Sequence, residues 1–410
     1  MPNIKPFRAF VYEDRCIKKI NRLVCPPYDV VSSQARDALV QKDPHNFIRV
    51  ELPSGDPETR YQDAAQIWTQ WNDTGVLKRG DVPAYYVYEV TFKSQKDART
   101  LVRRGFFAAL ETVPWGDGVF PHEKTLPTAR ADRFSLFKAL KAQTSPIQLL
   151  VRDASGKIES LVKAQTKGRP RLSFRDDSGV THRFWVWKKG PSTLALEKWM
   201  KKFPCAIADG HHRYETSLAY GQWARRQKGD FLPASRYVMA FFSSSDDQGL
   251  EVLPTHRAVP WEKRSFVNLE KWGVLEPVSG LKALLPLMEG KKGEDLQTVG
   301  VFRNGTYYRY RFNKVPASLR GTPRAALAVT CLHAGPLKGL GKEDFFFTRR
   351  PEDAVSHAQK TKGWAFFLAP NTVKEILDVA TAGEVMPPKS TYFYPKIPSG
   401  LVSHALAGEL

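Results

Sequence analysis

The sequence predicts an α/β or α+β fold with a mixed sheet, and three features of the chain support this prediction. Apolar, aromatic and β-branched runs typical of strands alternate irregularly with segments in which apolar residues recur at helical spacing. Of the 410 residues, 42% are hydrophobic and 25% are charged, which are the proportions of a globular protein with a large core. No internal repeat or low-complexity segment is present. The irregular order of strands and helices indicates a mixed sheet.

Most elements are predicted by the spacing of apolar residues and by the turn residues between them. Residues 57–75 carry helical spacing that Gly75 ends. Asn304-Gly305 lies between two strand-like runs, 298–302 and 307–312, and is a strong hairpin signal. The remaining predicted strands are 85–92, 101–110, 146–151, 184–187, 205–208, 237–242, 250–253 and 364–368, and the remaining predicted helices are 131–142, 211–227 and 372–381.

Charge, cysteine content and hydropathy limit the class of protein. The formal net charge of +20 produces a positive field that attracts anions such as nucleotides, phosphorylated metabolites or nucleic acid. The basic residues are scattered in twos and threes and form no basic tail. None of the four cysteines falls in a C-x-x-C pair, which argues against a zinc ribbon or a dithiol motif. No apolar stretch has the length of a signal peptide or a membrane span, so we expect a cytoplasmic protein without a membrane partner.

The strongest local signal is the segment Asp209-Gly210-His211-His212-Arg213, where a short apolar strand meets a turn and a helix follows at once. The first turn of a helix has backbone N–H groups without intrahelical partners, and the helix dipole places partial positive charge there. Gly210 lets a ligand approach the backbone, and the three basic side chains add donors. The segment therefore predicts a phosphate cradle. The alternative is an ordinary capped turn with surface histidines.

Two further segments have the chemistry for a phosphate-transfer site. Glu123 lies in the loop Pro-His-Glu-Lys-Thr (121–125), from which a carboxylate can project into a cleft as a general base. Taken alone, an exposed carboxylate is the simpler interpretation. Lys389, Ser390 and Thr391 offer an ammonium and two hydroxyls to a phosphate or carboxylate. The alternative there is a polar turn, and the glycines of a Walker loop are missing.

His256 and Arg257 follow a strand and form a weaker candidate for the same cleft. A metal site built from His122, His211, His212 and Glu123 is a further alternative. Adjacent helical histidines point about 100° apart, so they are poorly placed to share one metal.

Over nearly its whole length the chain resembles a bacterial family known as domain of unknown function 1015. The matching stretches are CPPYDVV (25–31), NFIRVEL (46–52), PHEKT (121–125), ADRFSL (131–136), SPI (145–147), ADGHHRYETSLAY (208–220), LPTHR (253–257) and MPPKSTYFYPK (386–396). Three of these motifs, in the same order, are similar to those of the free-serine kinases, which have a ParB/sulfiredoxin-like fold. Those enzymes carry Pro-His-Glu, Asp-Gly-His-His-Arg and Ser-Pro-Lys-Thr-Thr.

The resemblance implies an ATP- or ADP-dependent kinase that uses Mg²⁺ and phosphorylates the hydroxyl of free serine or a related compound. It implies that Glu123 is the general base, that Asp209 is catalytic and helps hold the metal, and that residues 210–213 hold the nucleotide phosphates. The residues expected to contact substrate or phosphate are His122, Thr125, His256, Arg257, Lys389, Ser390 and Thr391. The implied division is an N-terminal α/β portion (1–105), a ParB/sulfiredoxin-like nucleotide-binding core (106–260) and a C-terminal α/β portion that completes the site (261–410).

Two departures from the kinases concern the phosphoryl acceptor. Tyr392 stands where the kinases continue with arginine, and the portion 1–105 has no counterpart in them. A ParB-like nucleotide-binding regulator that contacts nucleic acid is the alternative function, although no convincing helix-turn-helix segment supports it. A metal-dependent hydrolase built on the histidines is a third. The expected partners are a nucleotide and a small-molecule substrate, whereas nucleic acid is not expected, and the oligomeric state is left open.

Overall fold

The computed structural model describes residues 3–125, 127–227, 233–288 and 298–410. The chain forms two compact units from interleaved segments. The first unit comprises Met1–Phe120, Thr125–Leu250 and Pro395–Leu410, and the second comprises Pro121–Lys124 and Glu251–Tyr394. The boundaries predicted at residues 105 and 260 do not follow these units, because a single strand, Thr100–Glu111, runs through residue 105 and pairs with strands on both sides of it in sequence.

The strands are numbered in chain order: β1 Ile4–Lys5, β2 Phe10–Tyr12, β3 Leu77–Arg79, β4 Ala84–Lys93, β5 Thr100–Glu111, β6 Val119–Phe120, β7 Ala142–Gln143, β8 Ile147–Val151, β9 Leu172–Arg175, β10 Thr181–Lys188, β11 Cys205–Asp209, β12 Tyr237–Ser244, β13 Glu251–Leu253, β14 His256–Val259, β15 Gly273–Val278, β16 Thr298–Arg303, β17 Thr306–Phe312, β18 Phe346–Thr348, β19 Trp364–Phe367, β20 Tyr392–Tyr394 and β21 His404–Ala405. The α-helices are α1 Ile20–Leu23, α2 Ser33–Lys42, α3 Ile48–Glu51, α4 Arg60–Asp73, α5 Pro127–Leu140, α6 Lys157–Gln165, α7 Pro191–Met200, α8 His211–Arg226, α9 Leu281–Met288, α10 Ala328–Ala334, α11 Pro351–Lys360 and α12 Val373–Thr381.

The first unit is built on a mixed sheet, which confirms the predicted fold class. Its strands run in the order β6-β11-β8-β12-β5-β4-β10-β9, and β1 also pairs with β5. The pairs β11–β6 and β12–β8 are parallel, whereas the other pairs of this sheet are antiparallel. From Ala84 to Val90 every residue of β4 is buried, so both faces of the sheet are covered there. That burial explains why β4 begins with a continuous apolar and aromatic run, Ala84 to Tyr88.

The second unit contains a sheet of strand order β15-β17-β16-β19-β14-β18 and the separate pair β13–β20. The strands of the larger sheet are antiparallel neighbours. Asn304 and Gly305 have φ angles of 50° and 81°, which a tight hairpin turn between β16 and β17 requires. The hairpin predicted from the Asn-Gly pair is therefore confirmed. In the described part of the chain, no helix combines the length and the apolar character needed to traverse a bilayer.

Candidate functional site

The predicted phosphate cradle of the first unit lies where β11 ends and α8 begins. The pairing of β11 with β8 shifts register between Ile207 and Asp209, which is a β-bulge, and bulges commonly redirect a side chain at a strand end. Gly210 has a left-handed φ of 91°, and α8 starts at the next residue. A Cβ at residue 210 would lie 2.9 Å from Cγ2 of Ile147 and 3.1 Å from Cζ of Arg213. Glycine is therefore required here both by backbone conformation and by space.

Asp209 is held by two cations at this helix start. One carboxylate oxygen lies 2.6 Å from Nη2 of Arg213, and the other accepts a hydrogen bond from the ammonium of Lys396. Arg213 is 3% exposed and also donates to the carbonyl of Pro146. Burial lowers the pKa of Arg213, but Asp209 and neighbouring anionic groups raise it more, so the guanidinium stays charged. Arg213 therefore fixes the Asp209 turn from within the protein.

The two histidines of the cradle differ in exposure. His211 is 7% exposed, whereas His212 is partly buried. Both lie in the first turn of α8, and Tyr214, one turn along, donates its N–H to the carbonyl of Gly210. The amides that precede Tyr214 belong to the part of a helix that makes no i→i−4 bond within it. Both histidines thus lie on the turn that the sequence assigned to the nucleotide phosphates.

Residues from the N-terminal part of the chain, for which no role was predicted, lie in the electrostatic surroundings of Arg213. Tyr28 donates its N–H to the fully buried Glu51 carboxylate at 3.4 Å. The guanidinium of Arg133 lies 4.1 Å from the centroid of the Tyr28 ring and donates to the carbonyl of Glu51 at 2.7 Å. Burial raises the pKa of Tyr28 to about 12, and Arg213 opposes that rise. The phenol is therefore a neutral hydrogen-bond donor in the electrostatic field of Arg213.

In the second unit, Glu123 meets the turn formed by Lys389, Ser390 and Thr391. Its Oε1 accepts the N–H of Ser390 at 3.0 Å, the N–H of Thr391 at 2.9 Å and the Thr391 hydroxyl at 2.9 Å. Its Oε2 accepts the N–H of Lys389 at 3.2 Å. A carboxylate that accepts several backbone N–H groups is strongly stabilised in its charged form. The structure thus brings together two motifs that lie 266 residues apart in the chain.

The carbonyl side of this turn is tied to the second unit by side chains. The carbonyl of Lys389 accepts from Nη2 of Arg257 at 2.9 Å, and the carbonyl of Ser390 accepts from Asn371 at 3.1 Å. Lys389 has a left-handed φ of 57°, which is uncommon for a residue other than glycine. Burial lowers the pKa of Arg257 to about 9, although Glu123 opposes that effect. Arg257 is fully buried, so it supports the turn from behind.

His122 orients Thr391 toward Glu123. Nε2 of His122 lies 2.8 Å from the Thr391 hydroxyl, and the imidazole is fully buried. A threonine hydroxyl carries one proton, so while it donates that proton to Glu123 it must accept from an N–H at Nε2. The tautomer of His122 follows from this valence argument. His122 is therefore a positioning residue for the carboxylate.

His256 and Thr125 were also expected to contact substrate or phosphate. His256 is 2% exposed, and its Nδ1 accepts the N–H of Leu368 at 3.2 Å. Burial lowers its pKa to about 4, so at neutral pH the ring has no charge to offer a phosphate. This placement argues against His256 as a phosphate ligand. Thr125 is partly buried and belongs to the first unit.

Asp209 is the one protein residue predicted to bind magnesium. Within the described ranges, no group of three or more His, Cys, Asp or Glu is arranged to hold a metal ion. Asp209 is the carboxylate at the helix start, and its two oxygens already face Arg213 and Lys396. Magnesium in nucleotide enzymes keeps several waters and takes one or two carboxylates plus phosphate oxygens. A magnesium ion here would depend mainly on the nucleotide.

Sequence reasoning missed several residues of these clusters. Lys396 lies inside a motif that was recognised (386–396), but a single lysine carries no local signal of its ion pair with Asp209. Arg103 is fully buried and donates to the carbonyl of Pro395 at 2.7 Å. The motifs CPPYDVV and NFIRVEL, which hold Tyr28 and Glu51, were the signal that could have pointed to the N-terminal contribution.

Comparisons with known proteins give the following likenesses. A conserved hypothetical protein from Pyrococcus furiosus aligns with 15% identity over 72% of this chain and 93% of its own, with a TM-score of 0.36. A variant of a free serine kinase in complex with ADP aligns with 12% identity over 72% of this chain and 88% of its own, with a TM-score of 0.38. SbnI with a C-terminal truncation, from Staphylococcus aureus, aligns with 12% identity over 72% of this chain and 85% of its own, with a TM-score of 0.37.

A search of curated proteins found no match. A family model described as "Protein of unknown function (DUF1015)" matches residues 4–328 and so covers well over half of the sequence. The chain belongs to the DUF1015 family.

Proposed function

We propose that the protein is a small-molecule kinase that transfers a phosphoryl group from ATP or ADP to the hydroxyl of free serine or a related hydroxy compound. One observation carries the proposal. Glu123 and the turn 389–391, which the sequence assigned to one phosphate-transfer site, form one hydrogen-bonded network. A chance similarity of short motifs gives no reason for residues 266 positions apart to meet.

The nucleotide phosphates would bind at the start of α8. The first-turn amides, which have no i→i−4 acceptor within the helix, and the helix dipole favour an anion there, and α8 is long enough for both effects. Lys396 and Arg213 add positive charge next to Asp209. Arg213 is tied to Asp209 and Pro146, so its contribution to the phosphate is electrostatic. Phosphoryl transfer needs this kind of fixed positive environment more than it needs covalent chemistry by the protein.

Glu123 and Lys389 would be the base and a further cation of the reaction. Glu123 would take the proton from the acceptor hydroxyl, and the Lys389 ammonium would offset charge on the phosphoryl oxygens. His122 and Thr391 orient the carboxylate, and Arg257 holds the turn. When bound, Mg²⁺ would neutralise phosphate charge, with Asp209 as the protein carboxylate at the helix start. The proposal includes a ParB/sulfiredoxin-like nucleotide-binding core formed by residues 106–260.

The decisive variant is Glu123→Gln, which removes the base and preserves the side-chain shape. We expect binding of a fluorescent ADP analogue within threefold of wild type, and a fall in phosphoryl transfer of about 10²–10⁴-fold. Transfer would be measured with ATP or ADP, Mg²⁺ and a panel of hydroxy amino acids, with product detection by mass spectrometry. Glu352→Gln, at an exposed residue of the second unit, is the matched control. Transfer by Glu123→Gln at the wild-type rate would exclude Glu123 as the base.

A further inference from the structure

The turn 389–391 presents a set of donors that is unusual for a loop. Three consecutive backbone amides and one hydroxyl converge on the two oxygens of a single carboxylate, at 2.9–3.2 Å. Successive amides that converge in this way, with one residue in the left-handed region, form an anion-binding nest. Lys389 supplies that conformation, with φ 57°. The nest already contains an anion in this structure, and that anion is Glu123.

We infer that the 389–391 nest is a binding site for a phosphoryl group, and that Glu123 is an internal occupant which the phosphoryl group displaces. The consequence for catalysis rests on the proposed function. The carboxylate is withheld as a base while it fills the nest, and it is released when the phosphoryl oxygens take over the amides. One set of acceptors replaces another, so no covalent bond changes in the exchange. The protein would thereby couple the arrival of the phosphoryl group to the availability of its base.

The nest is preorganised, so it can outlast the departure of Glu123. The carbonyls of Pro387, Lys389 and Ser390 are each taken by a side chain of the second unit. The donors are the Ser390 hydroxyl at 2.6 Å, Arg257 at 2.9 Å and Asn371 at 3.1 Å. Because these contacts fix the carbonyl side of the turn, its amides keep their direction whether or not Glu123 accepts from them. Fixed donors bind an anion without the cost of reorganisation.

Charge and shape favour a phosphoryl group over a carboxylate. A phosphate offers three or more acceptor oxygens in a tetrahedral arrangement, whereas Glu123 offers two. The buried guanidinium of Arg257 stands directly behind the Lys389 carbonyl, and its charge interacts with Glu123. A dianion therefore gains more from the charge of this guanidinium than a monoanion does.

The test is phosphate binding by wild type, Glu123→Ala and Glu123→Gln, followed through the backbone amide resonances of Lys389, Ser390 and Thr391. Inorganic phosphate is the probe, and acetate is the comparison for a carboxylate ligand. Alanine empties the nest, so we expect phosphate to bind at least tenfold more tightly than in wild type. Glutamine keeps an oxygen in the nest, so its gain should be smaller. Acetate should bind at least tenfold more weakly than phosphate to Glu123→Ala.

A gain for Glu123→Ala below threefold, or equal affinity for acetate and phosphate, overturns the inference. If the alanine variant disorders the turn, the wild-type titration decides, because saturating phosphate must then move the three amide resonances and the Glu123 carboxyl resonance together. Unchanged resonances in wild type overturn displacement. None of these readouts needs turnover. Phosphate binding by a protein without kinase activity would therefore reject the proposed function and leave the nest assignment intact.

Discussion

Replacing Arg213 by methionine tests whether the buried ion pair with Asp209 holds the start of α8. The guanidinium lies 2.6 Å from the Asp209 carboxylate, and the two side chains are 4% and 17% exposed. Methionine keeps most of the apolar volume and removes the charge. Two losses follow. Asp209 loses one of its two cation partners and keeps Lys396, and the carbonyl of Pro146 loses its described side-chain donor.

The expected cost follows from these two losses. Breaking a buried ion pair by removing one partner costs about 3–5 kcal/mol, and Lys396 places this pair at the lower end. A buried acceptor left without a donor costs about 1–3 kcal/mol. Because the two effects share one guanidinium, we expect Arg213→Met to lower the free energy of opening α8 by about 3–5 kcal/mol. The double variant with Asp209→Asn should lose about 1–3 kcal/mol less than the sum of the single variants.

The assay is hydrogen exchange of α8 peptides measured by mass spectrometry, which reports local opening and does not require two-state unfolding of a chain with two units. Arg226→Met is the matched control, since Arg226 is exposed near the end of the same helix, and it should cost less than about 1 kcal/mol. A loss below about 1 kcal/mol for Arg213→Met, or strict additivity with Asp209→Asn, would refute the reasoning.

Two further predictions concern backbone strain and pH. Gly210→Ala should lower the unfolding free energy by about 2–3 kcal/mol, because φ is 91° and the new Cβ would lie 2.9 Å from Ile147. Gly156→Ala is the control, since φ is 64° and no atom lies within 4 Å, and it should lower the unfolding free energy by about 1 kcal/mol. Both variants would be compared with wild type by thermal denaturation. Burial lowers the pKa of His256 and His404 to about 4, so the unfolded chain binds more protons between that value and 6.5, and stability falls as pH drops through this window. From pH 7 to pH 5 each histidine should lower the free energy of unfolding by about 2 kcal/mol. In urea titrations, His256→Asn or His404→Gln should remove the contribution of that histidine to the pH dependence. If the unfolding free energy of either variant depends on pH as steeply as that of wild type, the low pKa of that histidine is contradicted.

Elements with a buried stripe or a buried run were predicted well from sequence. The predicted strand 85–92 and helix 211–227 match β4 and α8 to within one or two residues, because burial had shaped their local periodicity. Helix α2 was not predicted. None of its residues is buried, so it has no apolar stripe for a periodicity argument to detect. Its N-cap Ser32, which accepts from the N–H of Ala35, is its clearest local signal.

The division into units could not be predicted because it depends on strand pairings between distant segments. The pairing of β5 with β1, and the pairing of β13 with β20, bring together segments that a linear boundary at residue 105 or 260 separates. Local propensity carries no information about which strand lies beside which. Local propensity also could not predict that segment 121–124 belongs to the second unit, because this depends on the parallel β-bridge between Glu123 and Met386.

The sequence by itself determined the kinds of groups in the candidate site, because the residue types of the short motifs fix which chemical groups are present: glycine backbone, carboxylate, imidazole and ammonium. The resemblance of its motifs to those of the free-serine kinases implied that Glu123 and Lys389–Thr391 belong to one site. Only the tertiary structure decided what each group does there, since that depends on the direction of backbone amides and on burial. Arg257 supports a turn from inside, His256 is a neutral core residue, and Glu123 lies in a nest of amides. Contacts and burial are properties of the folded chain, so they cannot be predicted from any single motif.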